Sequence, residues 1–233
     1  MKYLYLLLIA ATILSCRNGI RGSGNIIKDT RKISEINSLS VSGAIKVDVK
    51  NGAIQSLIIE ADDNIMPYVV NNVSDKNLSI KIKGINNVRN ATINVYLVVP
   101  SISKVTTSAS AQVRSNEIIK NTDKLSFNAS SGSLINVNVD APSIFADASS
   151  GADIILTGRT KNLMAESSSG SKVNLFALQA ENASASASSG AAISISASVG
   201  VKANASSGGN IRYKGGALSV VKNVSSGGSV NQE

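Results

Sequence analysis

Six Ser-Ser-Gly triplets punctuate the second half of this chain, and their glycines, Gly132, Gly151, Gly170, Gly190, Gly208 and Gly227, are separated by 19, 19, 20, 18 and 19 residues. A period this regular marks a repeat architecture, because a linker or low-complexity tract has no reason to keep neighbouring columns in phase. The columns are in phase. Three residues after each glycine stand Ile135, Ile154, Val173, Ile193, Ile211 and Val230, all β-branched, and two residues further come Val137, Leu156, Leu175, Ile195 and Tyr213. Asn136, Ile155, Asn174, Ser194, Arg212 and Asn231 lie between them, so a short strand with one inward and one mostly outward face follows each glycine. A second strand precedes each serine pair, with Leu125, Ile144, Leu163, Ala183, Val201 and Val220 inward and Asn128, Asp147, Glu166, Ser186, Asn204 and Asn223 outward.

Each repeat therefore comprises two short strands and two turns, too little to bury a face alone. Equivalent strands of successive repeats pair in parallel at about 4.8 Å and enclose one continuous narrow core. The expected fold is all-β, a right-handed parallel β-helix or β-solenoid with rungs of about 19 residues, since parallel crossovers are overwhelmingly right-handed. The chain has 233 residues, only 3% of them aromatic, and many alanines at inward positions, which suits thin, closely stacked layers. In the triplets the glycine admits a positive φ, and the serines can bond to local backbone and to the adjacent rung. The six glycines are structural turn residues.

The first half is a less regular β segment. Residues 39–41, 45–49, 57–60, 78–82 and 92–99 read as strands, with turn signals at Asn51-Gly52, Asp62-Asp63-Asn64 and Lys83-Gly84. Residues 41–45 and 107–111 look like degenerate copies of the later repeat. One continuous β domain is expected, with its first half capping the solenoid.

The leader has a secretory character. Lys2 precedes an apolar run over residues 3–14 that is too short to cross a bilayer as a mature helix, and the run ends in Ile13-Leu14-Ser15-Cys16. This ending resembles a bacterial lipobox, which makes residues 1–15 a signal peptide and Cys16, the only cysteine of the chain, the acylated mature N-terminus. Acyl chains at Cys16 would hold the protein on a membrane without a transmembrane helix. Residues 17–24 read as a short flexible tether.

At this point the chain resembles a family, the bacterial putative auto-transporter adhesins with a head GIN domain, common as lipoproteins in Bacteroidetes. The residues that carry the resemblance are 22–25, 39–43, 57–64 with Pro67 and Tyr68 behind them, 93–100 and the Ser-Ser-Gly ladder. The resemblance implies a parallel β-helix and an envelope location, and it supplies no catalytic residues. The organisation expected is a signal peptide over 1–15, a lipid-attached tether and first strand over 16–36, and a single head-GIN-like β-helix domain over 37–233 with regular rungs over 125–233.

Composition excludes several chemistries. With no histidine and one cysteine, a Ser-His-Asp triad, a His-bearing zinc site and an internal disulfide are ruled out. The serine pairs lack any base in register, so they are not nucleophiles. The net charge of +8 is concentrated before residue 125, where lysines alternate with apolar residues as on a solvated strand face, and no stacking aromatics accompany them, so nucleic acid is not an expected partner. Asp147 and Glu166 share one outward column in adjacent rungs, at about the carboxylate spacing of a retaining glycosidase. Asp62 and Asp63 are weak candidates for a cation site, with an ordinary capped turn as the alternative. No cofactor is expected.

The resulting expectation is a non-enzymatic, lipid-anchored envelope protein, placed at the outer membrane in either leaflet and acting as an adhesin-like binding or scaffold module for a glycan or protein ligand. The alternative is a glycan-active β-helix enzyme using Asp147 and Glu166. A partner-binding subunit that docks through the open last rung, residues 220–233, is a third possibility.

Overall fold

The computed structural model describes residues 19–85 and 87–233. The signal peptide and Cys16 lie outside the described residues. No helix among the described residues is long and apolar enough to cross a membrane. The less regular half supplies β1 (Ile20–Arg21), β2 (Ile26–Arg31), β3 (Ser38–Ser42), β4 (Lys46–Asn51), β5 (Ser56–Asp62), β6 (Val69–Ser74), β7 (Asn77–Ile82), β8 (Val88–Arg89) and β9 (Ile93–Val99). A single 3-10 turn at Met66–Tyr68 precedes β6. The stack then continues through β10 (Lys104–Ser108), β11 (Gln112–Lys120), β12 (Lys124–Ala129), β13 (Leu134–Ala148), β14 (Asp153–Ser167), β15 (Lys172–Ala187), β16 (Ala192–Ala205), β17 (Asn210–Lys214), β18 (Ser219–Val224) and β19 (Ser229–Gln232).

From β10 onward every pairing is parallel and in the register the columns require. Ile135 lies beside Ile154, Ile154 beside Val173, Val173 beside Ile193, and Ile193 beside Ile211. All five are buried, as are Leu125, Ile144, Leu163, Ala183 and Val201 of the second inward column. The fold is the expected β-solenoid.

Each Ser-Ser-Gly triplet forms one tight turn. Its second serine and its glycine both have positive φ, 53° and 71° at Ser150 and Gly151, and the Ala152 amide donates back to the Ser149 carbonyl at 3.2 Å. Two consecutive left-handed residues closed by this bond define a type I′ turn. The expectation named the glycine alone; the serine before it is bent just as far. Rung-to-rung bonding continues through the turn by backbone groups, since the Gly151 amide donates to the Ser169 carbonyl and the Gly170 amide to the Ser189 carbonyl, both at 3.1 Å. The degenerate copy at residues 107–111 makes the same bend without glycine: Ala109 and Ser110 have φ of 51° and 67°, and the Ser110 amide donates to the Ser131 carbonyl.

The second corner of the four central rungs is not a turn. β13, β14, β15 and β16 run through it as continuous strands of 14 to 16 residues that replace the expected pairs of short ones. The 20- and 18-residue rungs are absorbed here. Register slips between Ile155 and Gly158 against β15, and then between Leu175 and Gln179 and between Ala180 and Asn182 against β16. Ala141, Thr160, Ala180 and Ala197 fill the corner from inside, so it is narrow.

The first half caps the solenoid out of chain order. One rung, β3 with β4, is held between β7 with β9 on one side and β10 with β11 on the other. Antiparallel pairings of β2 with β5, β5 with β9, and β6 with β7 close that end. Residues 19–24, expected as a flexible tether, are instead fastened: β1 pairs with β8, and the Gly24 amide donates to Asp62 Oδ1 at 2.6 Å. At the other end the inward column that runs Phe127, Ala146, Ala165, Ala185, Ala203 finishes in Lys222, whose ammonium lies 4.7 Å from the Tyr213 ring centre. In this last described rung Val220 and Val224 are exposed.

Three substitutions test this packing. A Cβ at Gly151 would meet nothing within 4 Å, so Gly151→Ala loses only the left-handed preference, about 1 kcal/mol in denaturant unfolding. At Gly158 it would overlap the Val139 carbonyl oxygen of the rung before, and Gly158→Ala is expected to lower stability by about 3 kcal/mol. The buried Asp62 carboxylate also accepts from the Thr92 amide at 2.7 Å, so Asp62→Ala orphans two backbone donors, is expected to cost about 2–4 kcal/mol, and should expose residues 19–25 to limited proteolysis.

Candidate binding surfaces

Outward columns of the solenoid carry the chemistry, because everything pointing inward is packed. On the face made by the strands before each turn, Asp147 lies directly beside Glu166 in register, flanked by Asn128 and Ser186, as expected. Their environments differ. Glu166 is exposed, whereas Asp147 is half-buried near Phe145, and burial raises its carboxyl above the usual range. Neither lines a cavity described below, so the pair sits on an open face with no cleft to hold a substrate.

The narrow corner produces a groove. Because small residues fill it from inside, the surface sinks into a hollow of about 680 Å³ lined by Asp140, Arg159, Lys161, Gln179, Glu181 and Ser198 among others. A second hollow of about 490 Å³, lined by Pro100, Ser101, Lys120, Asn121 and Thr122, meets it at Asp140. Arg159 pairs with Asp140 across adjacent rungs at 2.8 Å, and this bond holds the Asp140 carboxyl below its usual range. The groove carries amides and charged side chains of mixed sign over a largely apolar floor and spans several rungs.

A third, smaller hollow of about 210 Å³ opens where β9, β4 and β11 lie side by side. Register sets its walls: Tyr96 stands beside Asp48 and Asp48 beside Arg114, while Asn94, Lys46 and Gln112 form the parallel row two residues earlier. Tyr96 is 39% exposed, and its hydroxyl is harder to ionise than usual, first through burial and then through the Glu60 and Asp48 carboxylates. Arg114 donates to the Gln112 side-chain oxygen at 3.2 Å. Asp48 Oδ1 is shielded from water and has no hydrogen-bond partner. None of the six ion pairs among the described residues includes Lys46, Asp48 or Arg114. This cluster was not anticipated, because its residues come from chain segments up to about 65 positions apart that only the cap's chain order brings together. The one local signal was the alternation of Lys46, Asp48 and Lys50 on a single face.

Other candidates resolve into structure. Asp62 gives Oδ1 to the Gly24 amide and Oδ2 to the Thr92 amide, and Asp63 accepts from Ser23 Oγ at 2.6 Å and Asn25 Nδ2 at 2.9 Å. These bonds hold the Asp63 carboxyl below its usual range, the Ser23 bond most of all. The two carboxylates are spent as a clasp on the N-terminal segment, and no cluster of three or more potential metal ligands occurs among the described residues. Phe176 is no open platform either, since Arg212 and Lys214 cover its ring at 5.5 and 5.0 Å. The six turn glycines all have positive φ and line no chemical site.

Solved structures share this architecture. A protein described as a putative adhesin from Bacteroides fragilis superposes with a TM-score of 0.84 at 18% identity, covering 92% of this chain and 100% of its own. A putative adhesin from Parabacteroides merdae gives 0.71 at 20% identity, covering 93% and 99%. A putative lipid binding protein from Parabacteroides distasonis gives 0.75 at 17% identity, covering 93% and 100%. At these identities the likeness concerns the fold alone. No protein of curated function matches the chain. The family model described as "Putative auto-transporter adhesin, head GIN domain" matches residues 35–217, and the chain belongs to that family.

Proposed function

We propose that this chain is a lipid-anchored cell-envelope protein whose solenoid acts as a non-enzymatic, adhesin-like binding module. The observation that carries the reading is the groove along the solenoid corner, where two hollows that share Asp140 present mixed charges, amides and hydroxyls on a largely apolar floor over several rungs. Such a surface offers many directional contacts and no reactive pair. Most residues of the larger hollow lie on β13 to β16, so ordering them on binding loses little conformational entropy. Acylation of Cys16 would tether the capped end of the stack to the membrane and leave the groove running away from it. The family description and the names of the similar structures agree with a binding role.

Protease treatment of intact cells tests the location: the protein is expected to be digested from the outside and to leave the membrane fraction when Cys16 is replaced by alanine. Protection on intact cells together with digestion in lysed ones would place its work inside the envelope.

The enzymatic alternative rests on the raised Asp147 carboxyl beside Glu166. Its sign is informative. A carboxyl whose folded pKa lies above the unfolded 3.8 weakens the fold as pH rises from that value through the folded one. Asp147→Asn is therefore expected to raise the melting temperature at pH 7 and to leave it unchanged below pH 3. On the binding-module reading neither the wild type nor this variant releases reducing ends from envelope polysaccharide; release by the wild type that the variant lacks would establish a hydrolase.

A further inference from the structure

The binding-module reading leaves open what is bound, and the hollow on β9, β4 and β11 narrows it. Asp48 lines this hollow, and its Oδ1 is covered by neighbouring side chains and has no donor, so a ligand that shifts those side chains and supplies an O–H or N–H satisfies it. Arg114 and Lys46 stand around the same space unpaired with any carboxylate, and Asn94 and Gln112 add amide groups, so the ligand also presents acceptors. The Tyr96 ring provides an apolar wall.

These demands exclude the simple ligands. A metal or ammonium ion would satisfy Asp48 but meets two cations. Phosphate or sulfate would suit Arg114 and Lys46 but brings further negative charge against Asp48 and has no C–H face for Tyr96. An apolar molecule would leave Asp48 as it is. A ring with hydroxyls around its rim and a face of C–H groups meets all three conditions at once. The hollow of about 210 Å³ holds the volume of roughly seven waters at about 30 Å³ each, the scale of one six-membered sugar ring.

We propose that Tyr96, Asp48 and Arg114, with Lys46, Asn94 and Gln112 around them, form a subsite for one pyranose residue of a glycan. A ring hydroxyl donates to Asp48, a second hydroxyl or a sugar carboxylate accepts from Arg114, and the ring's C–H face packs on Tyr96. The subsite rests on the binding-module reading and gives it a ligand class. The Asp48 carboxylate fixes the sugar's orientation, because it accepts only from a hydroxyl on the side of the ring that faces β4. Further residues of the glycan would run along the outward column that continues from Arg114 through Asn136, Ile155 and Asn174.

The test is an array of bacterial and host glycans probed with the full chain, with Asp48→Ala and Arg114→Ala, and with Glu35→Ala, an exposed carboxylate that lines none of the hollows, as a control. Thermal melting of each variant reports folding. The wild type is expected to bind a subset of glycans that share a terminal or internal pyranose. Asp48→Ala and Arg114→Ala should each weaken that binding at least tenfold with melting unchanged, and Glu35→Ala should not. Because neither side chain carries an internal ion pair, their loss leaves the fold intact. Binding that survives both substitutions overturns the subsite while keeping the module a binder. A wild type that binds no glycan yet still adheres to cells overturns it in favour of a protein ligand. Failure of the binding-module reading shows separately, as release of reducing ends from polysaccharide by the wild type.

Discussion

Everything regular in this molecule depends on the amide-to-carbonyl ladder between rungs continuing unbroken through the Ser-Gly turn. A corner normally interrupts a β-ladder. Here two residues of positive φ keep the glycine amide pointing along the stack, where it finds the serine carbonyl of the next rung. With the corner locked, strands on both sides inherit the same register, and residues 19 apart superpose as columns. A side chain then has only the gap to the adjacent rung, about 4.8 Å, in which to fit. One inward column is alanine at four successive rungs with the large Phe127 only at its start, while the column of Ile135, Ile154, Val173 and Ile193 stacks larger side chains at the same spacing.

A locked turn also decides where irregularity goes. Rungs of 18 and 20 residues cannot change length at the Ser-Gly corner without breaking the ladder, so register slips gather at the opposite corner. That corner makes no tight turn, carries the close approaches of Gly158 and Gly215 to the carbonyls of Val139 and Ala197, and sinks into the groove. The groove thus lies at the corner that absorbs length variation between rungs.

What was readable from the residues alone follows from the same physics. The columns, the turn, the degenerate copy at 107–111 and the pairing of Asp147 with Glu166 all depend on a fixed offset between rungs, and a fixed offset is visible in a linear string. Three features were not readable. The long continuous strands looked like pairs because their shared bend has no glycine or proline at a constant position. Residues 19–24 looked like a tether because their partners, Asp62, Asp63, Val88 and Arg89, lie about 40 to 70 residues away. The Tyr96, Asp48 and Arg114 hollow depends on β4 being inserted between β9 and β11, an order no periodicity encodes.

The two ends of the stack meet one problem with different chemistry. An uncovered rung presents backbone groups and the apolar interior of its columns to any other strand. At the first end the chain folds back in antiparallel hairpins, and the outer strand β2 carries Lys28, Asp29 and Arg31. In the last described rung the inward position below Ala203 holds Lys222, whose charge lies over Tyr213 where the next rung's alanine would otherwise stack. A further rung laid on this end would have to bury that ammonium against an apolar column. The lysine therefore opposes end-to-end growth even though Val220 and Val224 beside it are exposed. The open rung, which first suggests a docking edge, is the part of the solenoid whose inward chemistry most resists one, and the surfaces left for recognition are the sides of the stack.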